Sequence, residues 1–289
     1  MQNKELRKNR TIRNQLSEGE HFAELRSFLL RETFRHGYSK WNWNLRSLLN
    51  WHRYEQIVDE VLRLSSRGFV LDVGCGFGQI TEMLHLKGVR AVGLDIGGPG
   101  VVKKEWRKVR DICDLSPHGE TKQNKVWKHL LSSFVLGDGC TLPFASEMFD
   151  VVLCCGVLEH VYDERRFLLE CGRVLKNDAI FLCYYLPNKT GFESLFSKFF
   201  FLPTIHKFYD KNTIEPLFRE CGYEVLTVTR EHVVPEPRFT QTMKIWNRSY
   251  KTFTLLDDAL ARTLLRFFGD NWRVYARKIK ASDMQSLVG

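Results

Sequence analysis

The 289-residue sequence is defined first by what it lacks. It contains no internal repeat and no low-complexity tract. No uninterrupted apolar run approaches the roughly 20 residues that a membrane-crossing helix needs, so no transmembrane segment is expected. No Cys-x-x-Cys pair occurs among the eight cysteines, which removes the commonest ligand spacing of a zinc site, and no metal is expected. Cys154, Cys155 and Cys183 lie inside apolar runs, where a reduced thiol packs as a small hydrophobe. Such usage does not fit the disulfide framework of a short secreted chain and predicts a reducing, cytoplasmic compartment. Residues 1–13 are polar and basic with no apolar stretch, and read as a basic arm, not a secretory leader.

What is present is ordinary for a folded chain: 44% hydrophobic and 27% charged residues, enough for a self-sufficient core. The formal net charge of +9 is compatible with an anionic partner such as nucleic acid, a phosphorylated sugar or a membrane surface, and equally with a solvated basic surface.

Residues 1–67 read as a helical extension, because Leu25, Phe28 and Leu29, and then Leu45, Leu48, Leu49, Tyr54, Ile57, Val58 and Val61, recur at helical spacing. From Gly68 short apolar runs take over. Strands are expected at 69–73, 91–96, 133–138, 149–155 and 179–185, with helices between most of them, notably over 80–86 and 164–175. Two more strands are expected at 223–229 and 272–280, around a helix over 252–268. This alternation predicts an α/β domain over 68–289 with a seven-stranded, mostly parallel sheet covered by helices on both faces. Two segments read as additions to it: an insertion at 97–132 with eight Lys/Arg against four acids, and a Phe-rich lid at 187–210.

The strongest chemical signal is Val70-Leu71-Asp72-Val73-Gly74-Cys75-Gly76-Phe77-Gly78. A strand runs into a glycine turn and a helix follows at once. Glycines serve where the backbone turns sharply and a ligand approaches closely. The spacing Gly-x-Gly-x-Gly departs from the Gly-x-Gly-x-x-Gly of dinucleotide sites. Asp95 ends the second strand, where a carboxylate can accept from both hydroxyls of a ribose, and Asp138-Gly139 ends the third, where it can accept from an exocyclic amine. A plain tight turn, a helix N-cap and a loop Asp are the bland alternatives at these three places.

These motifs, with Leu142-Pro143-Phe144 and Val157-Leu158-Glu159-His160-Val161, resemble the class I S-adenosylmethionine-dependent methyltransferases over roughly residues 68–230. The branch is similar to quinone-biosynthesis and polysaccharide-cluster enzymes. The resemblance implies a Rossmann-like fold and S-adenosylmethionine as cofactor. It implies that Asp72, Gly74, Cys75 and Gly76 line the methionine end, Asp95 holds the ribose, Ile96 packs on the adenine, Asp138 and Gly139 face its edge, and Cys155 and Gly156 pass near the sulfonium. Asn177-Asp178 stands where the family commonly has Pro-Gly, a turn in either case.

On the acceptor side, Glu159 and His160 are candidate bases, His160 having the more suitable ordinary pKa, near 6.5. Shaping the start of a helix is their alternative role. His206, in a His-x-x-Tyr element that ends at Tyr209, resembles the lid of the same branch. The aromatic run 192–202 suits a hydrophobic lid or a peripheral membrane contact for a lipid-linked acceptor. The expected function is O-methylation of a small-molecule, quinone, lipid or glycan acceptor. One alternative is an RNA methyltransferase using the basic arm and insertion, against which stands the absence of an Asn/Asp-Pro-Pro-aromatic tetrapeptide after the fourth strand. Another is a non-catalytic S-adenosylmethionine-binding protein, against which stand the intact Asp72 and Asp95.

Overall fold

The computed structural model describes residues 18–35, 43–64, 68–97, 134–192, 194–195, 207–234 and 247–280. The basic arm, nearly all of the insertion and His206 lie outside these residues.

The elements in chain order are α1 (Glu18–Arg35), α2 (Trp43–Arg46), α3 (Leu48–Leu64), β1 (Phe69–Val73), α4 (Gln79–Leu86), β2 (Arg90–Asp95), β3 (Phe134–Leu136), β4 (Phe149–Cys155), α5 (Glu164–Val174), β5 (Leu175–Pro187), α6 (Lys211–Glu220), β6 (Tyr223–Glu231), α7 (Tyr250–Ala261) and β7 (Asn271–Lys278). Short 3₁₀ turns span Leu158–His160 and Leu264–Phe268. The strands form one seven-stranded sheet in the order β3-β2-β1-β4-β5-β7-β6. Neighbours from β3 to β5 are parallel, and only β7 runs antiparallel, against β5 and β6.

Strand periodicity sends alternate side chains to opposite faces. Leu71, Val73, Val152 and Cys154 join a core beneath α5 and α6, built on Phe149, Phe167, Phe181, Phe218 and Tyr223. Val70, Val151 and Leu153 join a second core with α1, α3 and α4. In that core Trp51, Tyr54, Ile57, Val58 and Val61 form the buried stripe of α3. The helical extension therefore covers one face of the sheet. It is also pinned by a buried ion pair, Arg53 to Asp257 at 2.9 Å, and Asp257 accepts from the Val234 backbone N–H as well. Such a pair contributes mainly register, since its desolvation cost offsets much of its attraction.

Several boundaries differ from the sequence reading: β2 is Arg90–Asp95 rather than 91–96, β3 is only Phe134–Leu136 and leaves Asp138 beyond its end, and β6 runs on to Glu231. β5 starts at Leu175 rather than 179, because the strand passes through Asn177-Asp178 as an irregularity: Phe149 faces Leu175 while Val151 faces Ile180, and Asp178 takes φ 61°. The turn survives as a bulge inside a longer strand. The helix expected over 252–268 breaks after Ala261, where the Thr263 hydroxyl accepts from the Leu265 N–H and starts a separate 3₁₀ turn. β7 begins one residue earlier and ends at Lys278. No helix among the described residues is long and apolar enough to cross a membrane.

Candidate functional site

The chain runs outward through β1, β2 and β3, then returns to place β4 on the other side of β1. That reversal opens a crevice at the carboxyl ends of β1 and β4, the place where open parallel sheets bind ligands.

The β1 side of the crevice is built from backbone. Gly74, Gly76 and Gly78 adopt φ of 74°, 57° and 76°, a region that other residues enter only with strain. The Gly74 and Cys75 N–H groups donate to the Leu94 carbonyl at 2.7 and 3.1 Å, which ties the loop to the end of β2. A Cβ on Gly74 would fall 2.3 Å from Val157, and one on Gly78 2.5 Å from Phe134, whereas one on Gly76 would meet nothing within 4 Å. Gly76 is thus the open face of the loop.

Asp95 secures this arrangement. One carboxylate oxygen accepts from the Gly76 N–H and the other from the Gly97 N–H, each at 2.9 Å. Asp72 lies deeper, fully buried, and accepts from the Thr81 hydroxyl at 2.7 Å, which joins β1 to α4. Burial, with a smaller contribution from Asp95, raises its carboxyl to about 7. The Cys75 thiol turns into the core against Gly93, and burial pushes it well above its usual range. Ile96 follows Asp95 and is 65% exposed. Asp138 accepts from the Cys140 N–H at 2.8 Å in an Asx turn, and Gly139 lets the chain pass against Phe167.

The β4 side is built from side chains. Cys155 ends the strand and Gly156 follows with φ 66°, its N–H donating to the Tyr184 carbonyl at 3.0 Å. The Leu158–His160 turn then divides the Glu159-His160 pair. Glu159 is buried beside Gly156, while the His160 side chain is 51% exposed, with Nε2 3.8 Å from Glu159 Oε1. Burial raises the Glu159 carboxyl to about 7, and Oε2 has no hydrogen-bond partner among the described residues. Tyr209 is committed elsewhere: its hydroxyl donates to Glu164 at the start of α5, with the Leu158 carbonyl 3.3 Å away.

The sequence reading missed a second cluster beyond Gly156. Tyr185 and His232 both take left-handed backbone, φ 59° and 61°, and their rings stack with centroids 4.8 Å apart. The Asn271 amide nitrogen lies 3.0 Å from His232 Nδ1, and Tyr54 of α3 sets its edge against Tyr185. Burial first, then the charges of Arg53 and Arg273, hold the His232 imidazole well below its usual pKa. Glu231 pairs with Arg273 at 3.0 Å, yet burial outweighs that attraction and raises its carboxyl to about 7. No local sequence signal marks a left-handed Tyr or His. Both depend on the irregular pairing of β5 with β7 between Cys183 and Leu186 and on the end of β6. No group of three or more His, Cys, Asp or Glu suited to hold a metal occurs among the described residues.

Residues 71–183 match a family described as a methyltransferase domain. The ubiquinone biosynthesis O-methyltransferase of Pseudomonas putida (strain W619) is 29% identical over 119 residues, 41% of this chain and 44% of that protein. Its counterpart in Yersinia enterocolitica is 28% identical over 146 residues, 49% of this chain and 53% of that protein. The chain thus spans about half the length of the curated relatives it matches. Among solved structures, a protein from Galdieria sulphuraria provisionally described as a sarcosine dimethylglycine methyltransferase superposes with a TM-score of 0.52 at 16% identity, covering 80% of this chain and 87% of that one. An identity that low speaks for the fold alone. From β1 to β5 the sequence is thus similar to methyltransferase domains, and the strand order that frames the crevice is like that of class I S-adenosylmethionine-dependent methyltransferases, a family whose methyl donor is S-adenosylmethionine.

Proposed function

We propose that this chain is an O-methyltransferase that binds S-adenosylmethionine between β1 and β4 and methylates a hydroxyl of a small acceptor. The observation that carries the reading is the pairing, across one crevice, of a glycine loop secured by Asp95 with a buried Glu159 carboxyl held near neutrality.

The residues present fit the donor. The open face of Gly76 leaves room for close approach to the loop. Each Asp95 oxygen accepts one backbone N–H and keeps a second acceptor position for a ribose diol. Asp138 uses one oxygen in its turn, and the other suits an adenine amine. Gly74, Cys75 and Asp72 set the loop from behind, Ile96 offers an apolar surface to the adenine, and Gly139, Cys155 and Gly156 complete the wall. The bound donor supplies an electrophilic methyl group on a sulfonium. This chain's own residues align the acceptor and remove its proton.

Glu159 is the preferred base. A carboxyl at about 7 is half ionised at neutral pH and returns its proton readily. His160, at the solvent side, passes that proton outward. His206 stays a candidate on the lid. The curated relatives, named for ubiquinone biosynthesis, support a small-molecule acceptor; lipid-linked and glycan acceptors belong to the same proposal. The seven described cysteines are all unpaired, which supports a cytoplasmic setting.

The test is calorimetric titration with S-adenosylmethionine and S-adenosylhomocysteine, using NAD as the control ligand. Binding of the first two, weakened about tenfold or more in Asp95→Ala, is expected from the loss of a charged acceptor. No binding by folded protein, or unchanged affinity in the variant, refutes this donor site.

A further inference from the structure

Because β7 runs antiparallel, the 3₁₀ turn that precedes it emerges at the same sheet edge as the crevice. Gly269 packs against the Glu231 backbone there, and Gly191 against Asp270. On this corner Leu255 and Leu256 of α7 and Leu264, Leu265, Phe267 and Phe268 of the turn are all exposed, Leu264 to 93%. Single exposed apolar residues are ordinary; a contiguous set beside a ligand crevice marks a contact surface.

The charges beside it are unbalanced. Lys251 and Arg266 lie on these two elements and Arg262 between them, against one exposed carboxylate, Asp258, since Asp257 turns inward to Arg53. Arg230 lies 4.3 Å from the Phe267 ring centroid and 4.6 Å from that of Trp272, and its Nε is buried without a hydrogen-bond partner among the described residues. Arg266 is close enough to lower the Arg230 pKa further, after burial. Neither guanidinium has a carboxylate partner among the described residues. Two like charges left together, one sandwiched on aromatic rings, favour an anionic oxygen group. Two copies of this surface meeting face to face would add further repulsion between like charges.

We infer that this corner docks on an anionic lipid bilayer, with Leu264, Leu265, Phe267 and Phe268 entering the interface while Arg230, Arg262 and Arg266 meet lipid phosphates. Apolar tips flanked by arginines are the composition of an interfacial surface. Docking there turns the acceptor side of the crevice toward the membrane.

Flotation of the full chain with vesicles tests the inference. The protein is expected to float with equal parts phosphatidylcholine and phosphatidylglycerol, and not with phosphatidylcholine alone. Leu264→Glu should lower partitioning about tenfold by removing one inserted side chain. Arg230→Gln and Arg266→Gln should each lower it about fivefold. Leu264 stands in solvent, so its variant should keep the wild-type circular dichroism and melting temperature. It should also keep its affinity for S-adenosylhomocysteine, which separates this surface from the donor site. Three outcomes overturn the inference: folded wild type that does not float with the mixed vesicles at low salt; Leu264→Glu that floats equally well, which assigns the attraction to the basic arm; or a dimer that Leu264→Glu converts to monomer, which assigns the face to a second copy.

Discussion

The two walls of the crevice are made differently. On the β1–β2 wall the functional groups are backbone N–H groups, positive-φ glycines and one carboxylate, Asp95, held in place by one N–H on each oxygen. On the β4–β5–β6 wall they are side chains in uncomfortable states: carboxyls of Glu159 and Glu231 raised to about 7, a neutral His232, and two non-glycine residues in left-handed backbone. The first wall has one shape that suits one donor. The second stores strain and incomplete solvation, the condition in which protons move and acceptors are chosen.

The sharpest way to break the comparison is Gly74→Ala. Its Cβ would overlap Val157 at 2.3 Å in a positive-φ conformation, so donor binding is expected to fall below calorimetric detection, with a denaturation free energy lowered by about 1–3 kcal/mol from strain alone. Gly76→Ala, with open space around it, should lower the denaturation free energy by only about 1 kcal/mol, while its Cβ takes up the open face proposed for the donor. On the opposite wall, Glu159→Gln should lower kcat about 100-fold and abolish the rise of rate with pH through about 7, while S-adenosylhomocysteine affinity stays within about twofold. A full loss of donor binding in that variant would mean that the walls are one unit.

A smaller effect separates stability from function. Asp72, Glu159 and Glu231 keep protons in the folded state that the unfolded chain releases above its ordinary carboxylate range. Their contribution is fully present below about pH 4 and is lost as pH rises through about 7. The melting temperature should therefore fall by several degrees from pH 5 to pH 8, and Glu159→Gln should flatten part of that slope, as scanning calorimetry would register. The smallest expected effect is that of His160→Ala. With the ring at the surface and 3.8 Å from Glu159, turnover should drop by no more than about threefold; a loss equal to that of Glu159→Gln would make the histidine the base.

The same contrast explains what was legible in the sequence. The glycine spacing, Asp95 at a strand end and the alternation of strands and helices are local patterns, and they located the sheet, its order of elements and the β1–β2 wall. The division of labour between Glu159 and His160 was not legible, because burial depends on how a three-residue turn sits beside Gly156. Tyr185 and His232 were invisible for a further reason: the left-handed Tyr185 falls in an irregular pairing with β7, far along the chain, and His232 follows the end of β6. Nor do the partners of Tyr209, which ends the His-x-x-Tyr element, show in the local sequence: Glu164 and the Leu158 carbonyl lie 45 and 51 residues away along the chain. The break after Ala261 was hidden because both halves carry helix-compatible residues and only the Thr263 hydroxyl stops the first.

The Phe134 ring, which fills the space beside Gly78 and Gly93, also dictates an order of events as the chain folds. β1, the glycine turn, α4 and β2 are sequence neighbours and can assemble with little loop closure. Phe134 arrives only after residues 96–133 have been bridged, a closure whose entropic cost delays contacts that reward it late. The loop therefore gains its supporting ring after the surrounding strands have paired, and the appearance of donor-binding capacity during refolding should lag the recovery of helical circular dichroism. Phe134→Ala, which leaves the loop without that support, should make a loop that pairs on time and never acquires full affinity.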